Sequence, residues 1–180
     1  MCPAKYRRAS VIHLDMAQHR VEGIYGDFPD DTALWEFLKD KTFSQWVRVF
    51  LWKIMHNAYK CGKWWNAVEN YEYRQNYHIC DSEESLSHIL TECQTSGQKV
   101  VWELAEELWA LKSLPWEKPS FGAMLGCGVI KMKDIDGVVL PGASCLYKII
   151  VSESMHMIWH TRCILAYQRR GQPTHRKTCG

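Results

Sequence analysis

Residues 42–59 read TFSQWVRVFLWKIMHNAY and carry the clearest structural signal in the chain. Apolar side chains recur in this stretch at intervals of three and four, at Phe43, Trp46, Val47, Phe50, Ile54 and Met55. That spacing places them on one face of an α-helix, so we expect Trp46, Phe50 and Ile54 to be core residues. The pair Cys61-Gly62 then ends or bends this helix.

Further helices are predicted on both sides of this stretch. Asp30, Asp31 and Thr32 are N-cap residue types before a short helix that reaches Leu38. Apolar spacing predicts another short helix that ends near Cys93 and longer ones at about 98–112 and 143–169. Two β-branched runs around Asp136-Gly137 predict a hairpin within 129–140. We therefore expect a mainly α fold, a small helical domain with a zinc-knuckle-like loop and helix and one short β-hairpin.

The length of 180 residues and the apolar content of 47% suit one hydrophobic core. We divide the chain into a poorly defined segment at 1–29 with a short helix near 13–25, a helical domain at 30–170 and a basic tail at 171–180. The first ten residues lack the apolar core of a signal peptide, and no apolar run reaches membrane-spanning length. We expect an intracellular protein, cytoplasmic or nuclear, without a membrane partner. Its eight cysteines are then thiols or metal ligands rather than disulfides.

Charge is unevenly distributed, although the formal net charge is only +2. Six bases and one acid lie between Lys39 and Lys63, whereas eight acids and two bases lie between Asp81 and Glu117. No acid follows Glu153. The basic segments are able to contact phosphates, while the acidic segment would repel them.

The most specific spacing is that of two thiols and an imidazole, Cys80-x7-His88-x4-Cys93. A closed structural zinc site needs four ligands, and the place of a C-x2-C partner for Cys80 is taken by Tyr77, a poor zinc ligand. His78 or Cys61 could supply the fourth ligand. We expect three close ligands that hold zinc weakly or not at all. The alternative is that the two cysteines are core thiols and the histidine is a hydrogen-bonded one.

A second group of metal-ligating types recurs at helical intervals of three and four, at Glu153, His156, His160 and Cys163. It is not the H-E-x-x-H pattern, since no glutamate lies between the two histidines, and we expect these residues to belong to a packed helix. The chain has no local signature of a catalytic nucleophile and no P-loop. We therefore expect no enzyme and identify no small-molecule substrate; a hydrolase using His156 and Glu153 is the enzymatic alternative.

The segment that follows Gln45 interleaves bases with aromatic rings, as single-strand platforms do. The candidate nucleic-acid-binding residues are Arg48, Lys53, Lys60 and Lys63, together with Arg169 and Arg170 near the C-terminus. The alternative is that these bases form only the solvated side of a helix whose rings are core.

The order of several motifs resembles one protein family. The motifs are FLWKIMHNAY at 50–59, CDSEESLSHILTEC at 80–93, VWELA at 101–105, LGC at 125–127, PG at 141–142, LYKIIVSES at 146–154, IW at 158–159 and RC at 162–163. In this order they resemble the zinc-binding and C-terminal region of non-LTR (LINE-type) retrotransposon reverse transcriptases of the fungal type. The resemblance covers about 20–170, with the zinc-binding region at about 43–112 and the C-terminal extension at about 113–170.

The resemblance implies a region that follows the polymerase and RNase H domains and assists template or target binding. Neither catalytic domain is present in this chain. The family's zinc ligands correspond to Cys80, His88 and Cys93, while the first cysteine of the signature is replaced by Tyr77. We expect a non-catalytic accessory module whose partner is RNA or DNA; the alternative is a protein-interaction or inert remnant domain without nucleic-acid or metal ligand.

Overall fold

The computed structural model describes residues 8–77, 80–93 and 97–168. The described chain is mainly helical, which confirms the predicted fold class. Its α-helices are α1 (Arg8–Tyr25), α2 (Asp31–Phe37), α3 (Gln45–Met55), α4 (Gln98–Ala110), α5 (Phe121–Leu125) and α6 (Pro141–Gln168). Shorter turns of 3-10 helix lie at Gly62–Ala67 and Glu72–Arg74, and a π-helical turn lies at His88–Glu92. None of the described helices is both long and apolar enough to cross a membrane.

Helix α6 is the central element of the core, because α3, α4, α5 and the π-helical turn all contact it. Its buried side chains include four of the apolar positions whose spacing predicts the helix, Tyr147, Ile150, Val151 and Ile158, and also Met155. Residues three and four apart lie on one side of a helix. One side of α6 is therefore the surface on which α3, α4, α5 and the π-helical turn pack.

Helix α1 is longer than the short helix predicted near 13–25, and it packs on α5. The contact is close because α5 contains a glycine: a Cβ atom built on Gly122 would lie 2.6 Å from the Met16 carbonyl oxygen. Leu14, Ala17 and Val21 of α1 are buried in the core. The N-terminal part of the chain from Arg8 onward therefore contributes to the core.

Helix α3 begins at the cap residue Ser44, whose hydroxyl accepts a hydrogen bond from the Val47 amide. Phe50 and Ile54 are buried as predicted, but the expectation for Trp46 is wrong, because its side chain is 77% exposed. Val47 lies on the core face instead. Successive residues of an α-helix are rotated by about 100°, so the Trp46 side chain points away from the core. The helix also ends at Met55, before the predicted Cys61-Gly62.

Helix α4 buries a different side from the one that its leucines suggest. The buried residues are Gln98, Trp102, Ala105 and Trp109. The exposed apolar residues, which we call the α4 stripe, are Val100, Leu104, Leu108 and Leu111. Two large indole rings therefore replace the aliphatic face as the core contact of this helix.

The β-structure differs in place from the prediction. The predicted hairpin within 129–140 is reduced to a single bridge between Lys133 and Val139, closed by the Asp134 carboxylate, which accepts from the Val138 amide at 2.8 Å. The paired strands are instead β1 (Asn76–Tyr77) and β2 (Ser82–Glu83), which are antiparallel. Strands of two residues show no alternation of polar and apolar side chains, so the sequence offers no signal for them.

Candidate metal centre

The structure brings together the three predicted ligands. The sulfur atoms of Cys80 and Cys93 and a ring nitrogen of His88 all lie within 4.8 Å of one another. The Cys80 sulfur is 3.3 Å from His88 Nε2. This is the only such group of three or more histidine, cysteine or acidic residues within the ranges 8–77, 80–93 and 97–168.

Cys80 lies in the turn that joins β1 to β2. The Asp81 amide donates to the Tyr77 carbonyl at 2.7 Å, and the Cys80 thiol lies 3.9 Å from the same oxygen. Asp81 adopts a φ of +51°, a left-handed conformation that aspartate tolerates in tight turns. These two contacts with the Tyr77 carbonyl orient Cys80 relative to β1.

His88 and Cys93 are positioned by the π-helical turn. The Ser85 hydroxyl accepts from the His88 amide at 3.0 Å, and the Cys93 amide donates to the His88 carbonyl, five residues back, at 2.8 Å. In an α-helix, residues five apart would point about 140° away from each other. A π-turn closes with i to i+5 bonds, so it returns the sixth residue to nearly the same side as the first. The π-helical turn therefore accounts both for the hydrogen bond from the Cys93 amide to the His88 carbonyl and for the convergence of the two side chains.

The orientation of the imidazole suits binding through Nε2. His88 Nδ1 faces the Glu92 carboxylate at 3.6 Å, an electrostatic contact longer than a hydrogen bond, while Nε2 faces the Cys80 sulfur. Metal-bound histidines commonly direct their second nitrogen toward a carboxylate. The His88 side chain is only 12% exposed, and Cys93 is buried, so the group is largely shielded from water.

The fourth position differs from a closed zinc site. Tyr77 is buried, and its ring lies against Arg162, whose guanidinium carbon is 5.6 Å from the ring centre. Cys61 does not join the group, and its thiol lies 3.8 Å from the Tyr59 carbonyl. Burial, with a further contribution from Glu84, raises the pKa of Cys61 to about 11. His78, the other predicted fourth ligand, lies outside the described residues.

A buried ion pair between Arg162 and Glu84 connects α6 with the end of β2. Arg162 donates through Nε and Nη2 to a single oxygen of Glu84, the residue that follows β2. The Glu84 side chain is 4% exposed. Gly62 packs against the Glu84 backbone, and a Cβ atom built on it would lie 2.4 Å from the Glu84 carbonyl oxygen. The φ of +57° at Gly62 also favours glycine. Sequence reasoning missed this pair, since its members are 78 positions apart.

The second predicted group does not form a metal site among the described residues. His156 packs edge-on against Phe50 with ring centres 5.3 Å apart, and burial lowers its pKa. Glu153 and His160 are exposed. Burial raises the pKa of Cys163, which favours the thiol over the thiolate that binds metals. These residues belong to a packed helix, as the sequence indicates.

The predicted basic residues are distributed over separate places. Lys53 lies 5.6 Å from the ring centre of Tyr59, and Lys63 is 3.4 Å from Glu83. Arg48 lines an open groove of about 620 Å³ between α2 and α3, together with Lys39 and Trp52. Arg169 and Arg170 lie outside the described residues.

Lys60 belongs to a largely exposed group that the sequence predicted only in part, because the predicted basic and aromatic segment ended at Trp65. We call it the aromatic row, and its rings are Trp64, Trp65, Tyr71 and Tyr73. Successive ring centres lie 4.8, 6.0 and 6.3 Å apart. Lys60 lies over Trp64 at 4.5 Å and Arg74 over Trp65 at 3.8 Å. The abundance of rings between 64 and 73 is the sequence signal that could have indicated it.

Comparisons of the chain with known protein families, with curated proteins and with solved structures find no match.

Proposed function

We propose that this chain is a non-catalytic accessory module derived from a non-LTR retrotransposon reverse transcriptase, which binds zinc and assists nucleic-acid binding. The observation that carries the proposal is the convergence of Cys80, His88 and Cys93 within 4.8 Å. These are the positions at which the resembled family has its ligands. The order of the remaining motifs supports the same origin.

The zinc site that this geometry favours is open and weak. Zinc prefers four ligands in structural sites, and three protein ligands leave one position to water. Part of the binding energy that a closed site contributes to folding is therefore lost. The zinc affinity should decrease as the pH is lowered, because both thiols must lose their protons to become ligands.

A zinc titration against a chromophoric chelator tests the metal role. We expect one zinc per chain with an affinity well below that of a four-ligand site, and a loss of about tenfold or more in the Cys93→Ala variant. The matched control is Cys127→Ala, since Cys127 is equally buried but lies outside the group. Equal zinc affinity of the Cys93→Ala variant and the unmodified chain would refute the proposed site. A very tight site that releases zinc only on unfolding would refute the open geometry.

The nucleic-acid role is supported by the aromatic row. Exposed rings provide stacking surfaces for bases, and cations beside them attract phosphates. The nearby acid Glu83 faces Lys63 and neutralises part of this charge. The geometry therefore favours a single strand, whose unpaired bases can reach the rings, over a duplex that is recognised through its phosphates.

Binding of a fluorescent single-stranded RNA, followed by anisotropy, tests this role. Tyr73 is 75% exposed, so Tyr73→Ala should leave the fold intact. We expect the affinity to fall about fivefold or more, because one stacked base contributes on the order of 1–3 kcal/mol. Phe28→Ala removes an exposed ring elsewhere and is the control. If both variants bind as the unmodified chain does, the aromatic row is not the binding surface.

The α4 stripe favours the alternative, a protein-interaction domain. Its four aliphatic side chains are exposed and are flanked by Glu103, Glu106 and Glu107. Contiguous apolar surface of this kind is common at protein interfaces. Under this alternative Leu104→Asp abolishes the interaction but leaves RNA and zinc binding unchanged. Under either function the purified protein neither extends a primer nor cleaves an RNA–DNA hybrid.

A further inference from the structure

A cavity outside the group of metal ligands combines cations with aromatic rings. It has a volume of about 390 Å³ and lies between α1, the loop after α4 and the first turns of α6. Its charged and aromatic lining consists of Arg20, Trp116, Glu117, Lys118, Lys133 and Tyr147. Small-ligand sites commonly have volumes of about 300–1,000 Å³ and mix apolar walls with a few polar groups.

The lining carries an excess of positive charge. Three of its side chains are cations, and Glu117 is its only carboxylate. Glu117 is 3.2 Å from Arg20 Nη2, but its side chain is 79% exposed and can turn into solvent. Lys133 is 3.6 Å from the mostly exposed Asp27, which lies outside the lining. The four charged side chains of the lining therefore present a formal net charge of +2 to an anion that enters the cavity.

Arg20 also has an unsatisfied hydrogen-bond donor. Its Nε atom is buried and has no hydrogen-bond partner. An N–H group that is removed from water without a partner costs free energy. An anionic oxygen in the cavity would accept from Arg20 Nη2 in place of the exposed Glu117 carboxylate, and a rotation of the guanidinium would bring Nε within reach of the same anion. Guanidinium groups suit the oxygens of phosphate and carboxylate particularly well.

The rings and aliphatic groups of the lining favour a ligand that carries an organic ring as well as an anion. Trp116 is half-buried beside Tyr147, with ring centres 6.3 Å apart. Leu114 and Ile24 complete the apolar wall. An inorganic anion would leave this wall in contact with water, whereas a flat ring would cover it.

We infer that this cavity binds a phosphate monoester carried on a flat ring, as in a nucleoside monophosphate. A phosphate monoester carries about −1.5 to −2 charges at neutral pH and so matches the lining better than a single carboxylate. Lys118 is held in place by a hydrogen bond from Nζ to the Thr91 carbonyl at 2.8 Å. The inference goes beyond the proposed function, since none of the three cations is a predicted metal or nucleic-acid ligand.

Isothermal titration with adenosine monophosphate tests the inference, with chelator present so that the metal site does not contribute. We expect saturable binding that is at least about tenfold tighter than that of adenosine or of inorganic phosphate. Arg20→Gln should weaken it about tenfold or more, because it removes charge-assisted hydrogen bonds. Arg8→Gln removes an exposed cation from the same helix and should have no effect. Unchanged binding in Arg20→Gln, or phosphate alone binding as tightly as the nucleotide, would overturn the inference.

Lys133→Gln keeps the test decisive if Arg20→Gln fails to fold, because Lys133 lies in a loop and is partly exposed. The same weakening is expected, and its absence contradicts the inference. A four-nucleotide strand with a 5′-phosphate distinguishes the source of the ligand. Tighter binding of this strand than of the mononucleotide identifies a strand end, and the reverse identifies a free nucleotide; both support the inference. Equal binding of the strand with a 5′-hydroxyl contradicts it. Zinc or RNA binding could fail without affecting these outcomes.

Discussion

Replacing Arg162 by methionine should destabilise the chain by about 3–5 kcal/mol, because it leaves a buried carboxylate without its cation. The Glu84 side chain is 4% exposed, and it accepts two hydrogen bonds from Arg162. Methionine retains most of the aliphatic volume, so the loss reports on the charge rather than on a cavity. The arginine also contacts the Tyr77 ring, which adds a smaller loss. The expected change is a large fraction of the 5–15 kcal/mol typical of whole domains.

Urea unfolding followed by circular dichroism measures this effect, with chelator present throughout. The matched control is the double variant Glu84→Gln with Arg162→Met, in which no charge is buried. We expect it to recover at least half of the loss, since neutral pairs bury at much lower cost. An Arg162→Met variant that unfolds within about 1 kcal/mol of the unmodified chain would refute the reasoning. So would a double variant that is less stable than the single one, because the carboxylate would then not be the cause.

Two further predictions concern pH and the fourth ligand position. A hydrogen bond from Lys148, followed by those from Thr42, lowers the pKa of Asp40 from 3.8 to about 2. This pair therefore contributes stability above pH 4 that is lost as the pH falls toward 2, about 1–2 kcal/mol after solvent screening. Unfolding curves between pH 2 and 6 should show this loss in the unmodified chain but not in Asp40→Asn, and parallel curves would contradict it. Tyr77→Cys should raise zinc affinity in the chelator titration yet lower metal-free stability by about 3 kcal/mol, since a buried ring is lost. Unchanged zinc affinity would show that position 77 does not face the metal.

The sequence predicted the longer helices, but it predicted their buried side only where the aliphatic periodicity agrees with the packing. Helix α6 was predicted at 143–169 and found at Pro141–Gln168, because its aliphatic spacing coincides with its buried side. Periodicity failed where aromatic and aliphatic faces compete. Trp46 and the α4 stripe are exposed because Val47, Trp102 and Trp109 occupy the core positions. A hydrophobic pattern gives the period of a helix more reliably than the side that it buries.

The candidate site was predictable in its residue types and less so in its geometry. The spacing of Cys80, His88 and Cys93 indicated one metal group, since soft ligands at such intervals can meet one ion. The means of their approach was not predictable, because a π-turn has no sequence signature and the two-residue strands have no alternation. The contact between Glu84 and Arg162 joins distant parts of the chain. Such contacts depend on the assembled fold and not on local sequence.

The π-helical turn has a consequence for how the segment from His88 to Cys93 tolerates insertions and deletions. An ordinary helix brings residues three or four apart to one side, whereas this turn uses an interval of five. Removing one residue between the two ligands would allow regular α-helix and still leave them on one side. Adding one residue would exceed what either kind of turn can accommodate. The interval between His88 and Cys93 is already one residue longer than the four residues of an α-helical turn. Deletion of one residue should therefore be tolerated, whereas insertion of one residue would separate the Cys93 thiol from the His88 imidazole.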